Sequence, residues 1–179
     1  LKQQLRVMES TAEAWQTMIE GQRGFFKPRY FVPYDTTPNH LSYYTTDKLR
    51  ETLERYCDLK LVNDVNRMKV SVSAVNVRNG NFAIFSNENE ELHYDHFIAS
   101  GALPPGFPAV EIDGEYYWDG GLVSNTPLNE ILSHEEHLKQ LIFQVDLWNA
   151  KGTVPENMME IDERIKDIQY SSKTRMVTD

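Results

Sequence analysis

The chain has 179 residues, a length that fits one domain of ordinary size. Hydrophobic residues make up 40% and charged residues 25%, the balance of a folded globular chain and not of a disordered one. With 18 Lys and Arg against 27 Asp and Glu the formal charge is −9, and the basic residues form no cluster, which argues against a nucleic-acid partner.

The one cysteine, Cys57, has no internal disulfide partner, which favours a reducing compartment or an origin where disulfides are not used, and a cytoplasmic setting is expected. No apolar run approaches the roughly 20 residues that cross a bilayer, and no basic-plus-apolar leader opens the chain. Leu1 lies inside a helical pattern, so the sequence is expected to start downstream of the beginning of its gene.

Leu1, Leu5, Met8, Ala12, Trp15 and Ile19 alternate in steps of four and three. This spacing predicts a helix with one apolar stripe, read as a core face, ended by Gly21 and Gly24. Residues 25–34 hold five aromatic rings and two prolines, and the prolines forbid a helix or a central strand. They are expected to form a loop whose rings, Phe25, Phe26, Tyr30 and Phe31 among them, mostly pack on the first helix. At most one or two rings are expected to face a lipid. A second helix is expected over 46–57, with Thr46 as N-cap, Asp47 in the first turn, and Leu49, Leu53, Tyr56 and Cys57 on one face. Cys57 reads as a buried, inert thiol.

Residues 68–75 place large apolar side chains at every second position and predict a strand. Asn79-Gly80 turns it into a partner at Phe82–Phe85. A short helix is expected from Tyr94 to Ala102, closed by Gly101 and stopped by Pro104-Pro105. Asp113-Gly114 marks a second hairpin between Ala109–Ile112 and Tyr116–Trp118. Thr126-Pro127 opens a helix expected to reach about Leu138. Residues 140–147 predict a buried strand, and Met158, Ile161, Ile165, Ile168 and Ser172 mark a C-terminal helix. Helices alternating with strands, some paired as hairpins, make an α/β chain with a partly antiparallel sheet, read as one domain over 1–179.

Asp119 stands where an aromatic strand ends, and Gly120 and Gly121 behind it let the backbone turn sharply and approach another element. A carboxylate among Tyr117, Trp118 and glycines is partly desolvated, which suits a general base. The same Asp-Gly pair also reads as an ordinary turn. His93 with His96, and His134 with His137, lack the spacing of a His-Glu-x-x-His metal site, and no nucleotide-binding glycine motif is present, so neither metal nor cofactor is expected.

The run Ala99-Ser100-Gly101-Ala102-Leu103-Pro104-Pro105-Gly106-Phe107-Pro108, an aromatic strand, Trp118-Asp119-Gly120-Gly121, and then Asn125-Thr126-Pro127-Leu128 together resemble the C-terminal half of a patatin-like phospholipase domain. The likeness spans roughly 40–179, and the segment 162–172 is similar to a bacterial subgroup. The resemblance implies a three-layer α/β fold and a serine acyl hydrolase of lipid esters. In it Asp119 would pair with a nucleophilic serine, Gly120 and Gly121 would allow close approach, and Asn125 and Pro127 would hold the loop. It implies no metal, a lipid or acyl-ester substrate, peripheral membrane contact, and the rest of the domain as partner. The departure from the family pattern is the nucleophile: no serine here sits in Gly-x-Ser-x-Gly, and no Gly-rich oxyanion loop is present. Ser100 has Ile98 and Ala102 where the glycines belong and reads as a supporting residue. The serine is therefore expected upstream, and this chain alone is expected to be inactive. The alternatives are a non-catalytic module that binds lipid or protein, and an acyltransferase.

Overall fold

The computed structural model describes residues 14–31, 37–124, 127, 141, 143–145 and 148–178. The chain divides into two compact units, one up to Asp119 and one from Gly120 onward. Among the described residues the fold is α/β, with antiparallel strand pairs and helices, as expected.

The first unit is built on two hairpins. Strand β3 (Ser71–Asn76) pairs with β4 (Phe82–Ser86), and β5 (Val110–Ile112) with β6 (Glu115–Asp119), all antiparallel. Both turns follow from local chemistry. The Asn76 side chain accepts from the backbone N–H of Arg78 and Asn79 at 2.9 and 3.2 Å, and Gly80 takes φ 72°. Asp113 and Gly114 take φ 52° and 81°, the two successive positive values that a tight hairpin requires. Pairing of β3 with β6, with Ala74 opposite Asp119 and Val75 opposite Trp118, joins the hairpins into one sheet of order β4-β3-β6-β5.

Helix α4 (Tyr94–Ser100) covers this sheet. Its Ile98 and Ala99, with Leu92 and Ala102 on either side, join Ala74, Phe85, Val110 and Ile112 in the buried cluster. Leu92 is fully buried and contributes about 2 kcal/mol by leaving water. Leu49 and Leu53 of α2 (Asp47–Tyr56) and Val62 of α3 (Leu59–Val62) pack on the same cluster. Thr46 holds the N-cap position of α2 without a side-chain cap bond. Cys57 is half-buried at the C-cap and Tyr56 is exposed, so both leave the apolar face expected for them. That face is set by Leu49 and Leu53, which the core reaches, whereas the helix ends where Cys57 turns extended.

A two-stranded ribbon, β1 (Lys27–Pro28) with β2 (Tyr44–Thr45), carries the aromatic segment. Proline is tolerated in such an edge because it has no N–H to lose. The ribbon rests on the proline loop: Tyr43 and Tyr44 donate their N–H groups to the carbonyls of Pro105 and Gly106 at 3.1 and 2.9 Å. Phe25, Phe26 and Tyr44 surround Phe107, with ring centroids 5.4, 5.5 and 6.1 Å from it.

Three expectations are corrected here. The rings do split: Phe25 and Phe26 are half-buried, but Tyr30 and Phe31 are 87% and 74% exposed. Phe25 and Phe26 both pack on Phe107, and Phe26 also on Tyr44, because ribbon and proline loop lie side by side. Second, the described part of that first helix, α1 (14–20), exposes Trp15 and Ile19, so this part of the stripe is not a core face. It is tied down through carbonyls instead, with Tyr44 and Tyr30 hydroxyls donating to Met18 and Ile19 at 3.3 and 3.4 Å. Gly21 ends α1 with φ 82°, and a Cβ there would lie 2.4 Å from the Phe26 carbonyl oxygen. Third, Leu141, Phe143 and Val145 are exposed and lie in no strand. An apolar run specifies a preference for burial, but a strand forms only where a neighbour completes its hydrogen bonds. The helix expected over 126–138 and the first turns expected from Leu1 lie outside the described residues, apart from Pro127.

The second unit opens with a 3₁₀ turn, Gly120–Leu122, and ends with helix α5 (Met158–Thr178). Asn157 caps α5 by accepting from the Glu160 N–H at 3.1 Å, and the Glu160 carboxylate accepts back from Asn157 and from the Glu156 N–H at 2.7 Å. Arg164 donates to the Ala150 carbonyl at 2.7 Å, and Trp148 stacks on Tyr170 with centroids 4.9 Å apart. These contacts fasten the approach segment to α5.

Candidate functional site

Asp119 is the last residue of β6, an interior strand of the sheet. Its backbone is held from two directions. It stands opposite Ala74 in the register with β3, and its N–H donates to the Ala102 carbonyl at 3.1 Å. Ala74 and Ala102 are both fully buried. A small side chain at each position lets the helix end and the strand end approach closely. Asp119 itself is half-buried and makes a further interaction.

Ser100 is the last residue of α4, half-buried, two positions before Ala102. The first unit thus brings the α4 end and Asp119 together through a backbone hydrogen bond. In the second unit Gly120 and Gly121 are buried, and the Gly120 carbonyl accepts from the N–H groups of Val123 and Ser124 at 2.9 Å. Pro127 is half-buried, and Asn125 lies outside the described residues.

His93 and His96 serve local structure. The His93 N–H donates to His96 Nδ1 at 2.8 Å and the two rings stack, so His96 Nε2 carries the ring hydrogen. That nitrogen is buried, without a hydrogen-bond partner, 3.6 Å from a Glu90 carboxylate oxygen. Among the described residues no group of three His, Cys, Asp or Glu is arranged to hold a metal. His134 and His137 lie outside the described residues. No helix among the described residues is long and apolar enough to cross a membrane.

The sequence reading missed a cavity of about 380 Å³ in the first unit. It is lined by Arg29 beside β1, Arg50 of α2, Asp95 of α4 and residues 108–111 leading into β5. Arg50 and Asp95 form an ion pair across it. These residues come from segments far apart in the chain, so no local motif signals them. Asp119 is not among the lining residues.

The model of one family, described as patatin-like phospholipase, matches residues 14–132, well over half of the chain. The chain belongs to the patatin-like phospholipase family. No curated protein and no solved structure matches it.

Proposed function

We propose that this chain carries the aspartate half of a serine acyl hydrolase acting on lipid esters. The serine nucleophile would come from a part of the domain outside this sequence, since no Gly-x-Ser-x-Gly occurs in it. Asp119 would accept the serine proton as the hydroxyl attacks the acyl carbonyl, return it to the leaving alcohol, and then activate water to release the acid. Backbone amides of the missing glycine loop would stabilise the oxyanion. Gly120 and Gly121 would give the room, Asn125 and Pro127 would shape the loop, and Ser100 would support the helix end beside Asp119. No metal or cofactor enters these steps.

The observation that carries the reading is the fixed position of Asp119. A general base must hold its geometry against the reacting atoms, and Asp119 sits at an interior strand end clamped to the carbonyl of a fully buried residue. In the protein that includes the serine segment, Asp119→Asn is expected to lower ester turnover by about 10²–10⁴ while far-UV circular dichroism is unchanged. Turnover near wild type would reduce Asp119 to a turn residue. The 179 residues alone are expected to show no esterase turnover.

A second reading, a module that binds lipid or protein without catalysis, is favoured by the exposed Tyr30 and Phe31 rings. Peripheral membrane contact through those rings fits either reading. Absence of the nucleophile elbow from the remainder of the domain would decide for the second.

A further inference from the structure

The cavity of the first unit has an uneven distribution of charge. Arg29 lines it and is half-buried. The Nε atom of Arg29 is sealed from solvent without a hydrogen-bond partner, and among the described residues the guanidinium forms no ion pair. Arg50, the second cation, is already matched by Asp95. Two further acids line the same cavity, Asp47 at the first turn of α2 and Glu111 in β5, and both are exposed. Glu111 accepts one hydrogen bond, from the Tyr116 hydroxyl at 3.2 Å. The lining therefore holds one cation without an ion-pair partner among the described residues, Arg29, and two exposed carboxylates, Asp47 and Glu111, at the mouth.

The sealed Nε atom of Arg29 loses hydration without gaining an acceptor, a cost that native interiors rarely carry. A simple anion would match Arg29 but would be repelled by the mouth carboxylates. A simple cation would be drawn to the mouth and leave Arg29 unmatched. A small molecule with both charges satisfies both ends. The lining also includes Ile98 and Val110, which are buried and apolar, so the linking part need not be polar.

We propose that this cavity binds a small zwitterion, its oxyanion group held by Arg29 and its ammonium end facing Asp47 and Glu111. The guanidinium supplies paired N–H donors suited to a phosphate or carboxylate. The mouth carboxylates act on the ammonium through charge, in partly solvated surroundings. The inference stands apart from the hydrolytic reading, since Asp119 does not line the cavity.

Calorimetric titration of the protein with glycerophosphocholine, inorganic phosphate and choline tests it. Glycerophosphocholine is expected to bind about tenfold more tightly than either single-charge probe. Arg29→Gln is expected to weaken it by about tenfold or more. Asp47→Asn combined with Glu111→Gln should erase the preference over phosphate. Asp119→Asn should leave all three titrations unchanged, which separates this site from the hydrolytic one. If Arg29→Gln loses its far-UV signal, Arg29→Lys keeps the charge but not the paired donors and should weaken binding to a smaller extent. Vesicles of phosphatidylcholine that displace the probe would mark the ligand as a lipid headgroup; failure to displace it would mark a free small molecule. No detectable binding of glycerophosphocholine, equal affinity for phosphate, or unchanged affinity in the folded Arg29 variant would overturn the proposal.

Discussion

The backbone N–H of Asp119 donates to the carbonyl oxygen of Ala102 at 3.1 Å, joining the end of β6 to the residue that follows the α4 C-cap. Ala102 has no exposed surface, so the carbonyl is offered from a packed position that leaves little play. A larger side chain at 102 must push that position outward. Ala102→Leu is expected to destabilise the fold by about 1–3 kcal/mol, read from urea unfolding. It should also reduce turnover in the intact domain, because displacement of the carbonyl moves Asp119. A stable Ala102→Leu protein with unchanged activity would show that the clamp does not set the aspartate.

Ser100 gives the complementary test. It sits half-buried at the end of α4 in a sequence that lacks the elbow glycines. Ser100→Ala should leave turnover of the intact domain close to wild type, far from the loss of about 10⁶ that removal of a serine nucleophile causes. Covalent labelling by a fluorophosphonate should survive as well. Loss of labelling would make Ser100 the nucleophile.

The glycines separate by geometry. Gly21 has φ 82° and a Cβ would lie 2.4 Å from the Phe26 carbonyl, so Gly21→Ala should cost more than about 1 kcal/mol. Gly101 caps α4 with φ −112°, and a Cβ there meets nothing within 4 Å. Gly101→Ala is expected to stabilise by about 0.4–1 kcal/mol through the unfolded chain. Thermal melts of the two variants should move in opposite directions.

Both hairpins were legible in the sequence because their signals are local. Asn79-Gly80 and Asp113-Gly114 specify turns, and alternation on either side specifies strands. The strand that ends at Asp119 was legible through its aromatic run and the glycines behind it, but the Ala102 partner was not, since a backbone hydrogen bond leaves no mark on side-chain identity. The stripe of Trp15 and Ile19 and the run at Leu141, Phe143 and Val145 misled for one reason: periodicity states which face prefers burial, not whether a surface arrives to cover it. The cavity was invisible because Arg29, Arg50 and Asp95 meet only after the ribbon, α2 and α4 are in place.

Asn63, just past α3, ties two loops together. Its side-chain amide donates to the Leu59 and Leu92 carbonyls at 3.0 and 2.9 Å, and its oxygen accepts from the Leu92 N–H at 2.8 Å. Two of these bonds reach a fully buried residue of the core cluster across a long sequence separation. Asn63→Ala removes all three and leaves the Leu92 N–H and carbonyl to find water or go unmatched. The cost should be about 1–3 kcal/mol, which in a chain of this size lowers the melting temperature by about 2–4 °C per kcal/mol. Asn63→Asp keeps the acceptor for the Leu92 N–H but sets a carboxylate against two carbonyls, so it should be no better tolerated than Ala. Asn66→Ala, at an exposed position nearby, serves as control and should stay within about 0.5 kcal/mol of wild type. Equal melting temperatures for Asn63→Ala and the control would mean that the Leu92 loop is held by its buried side chain alone.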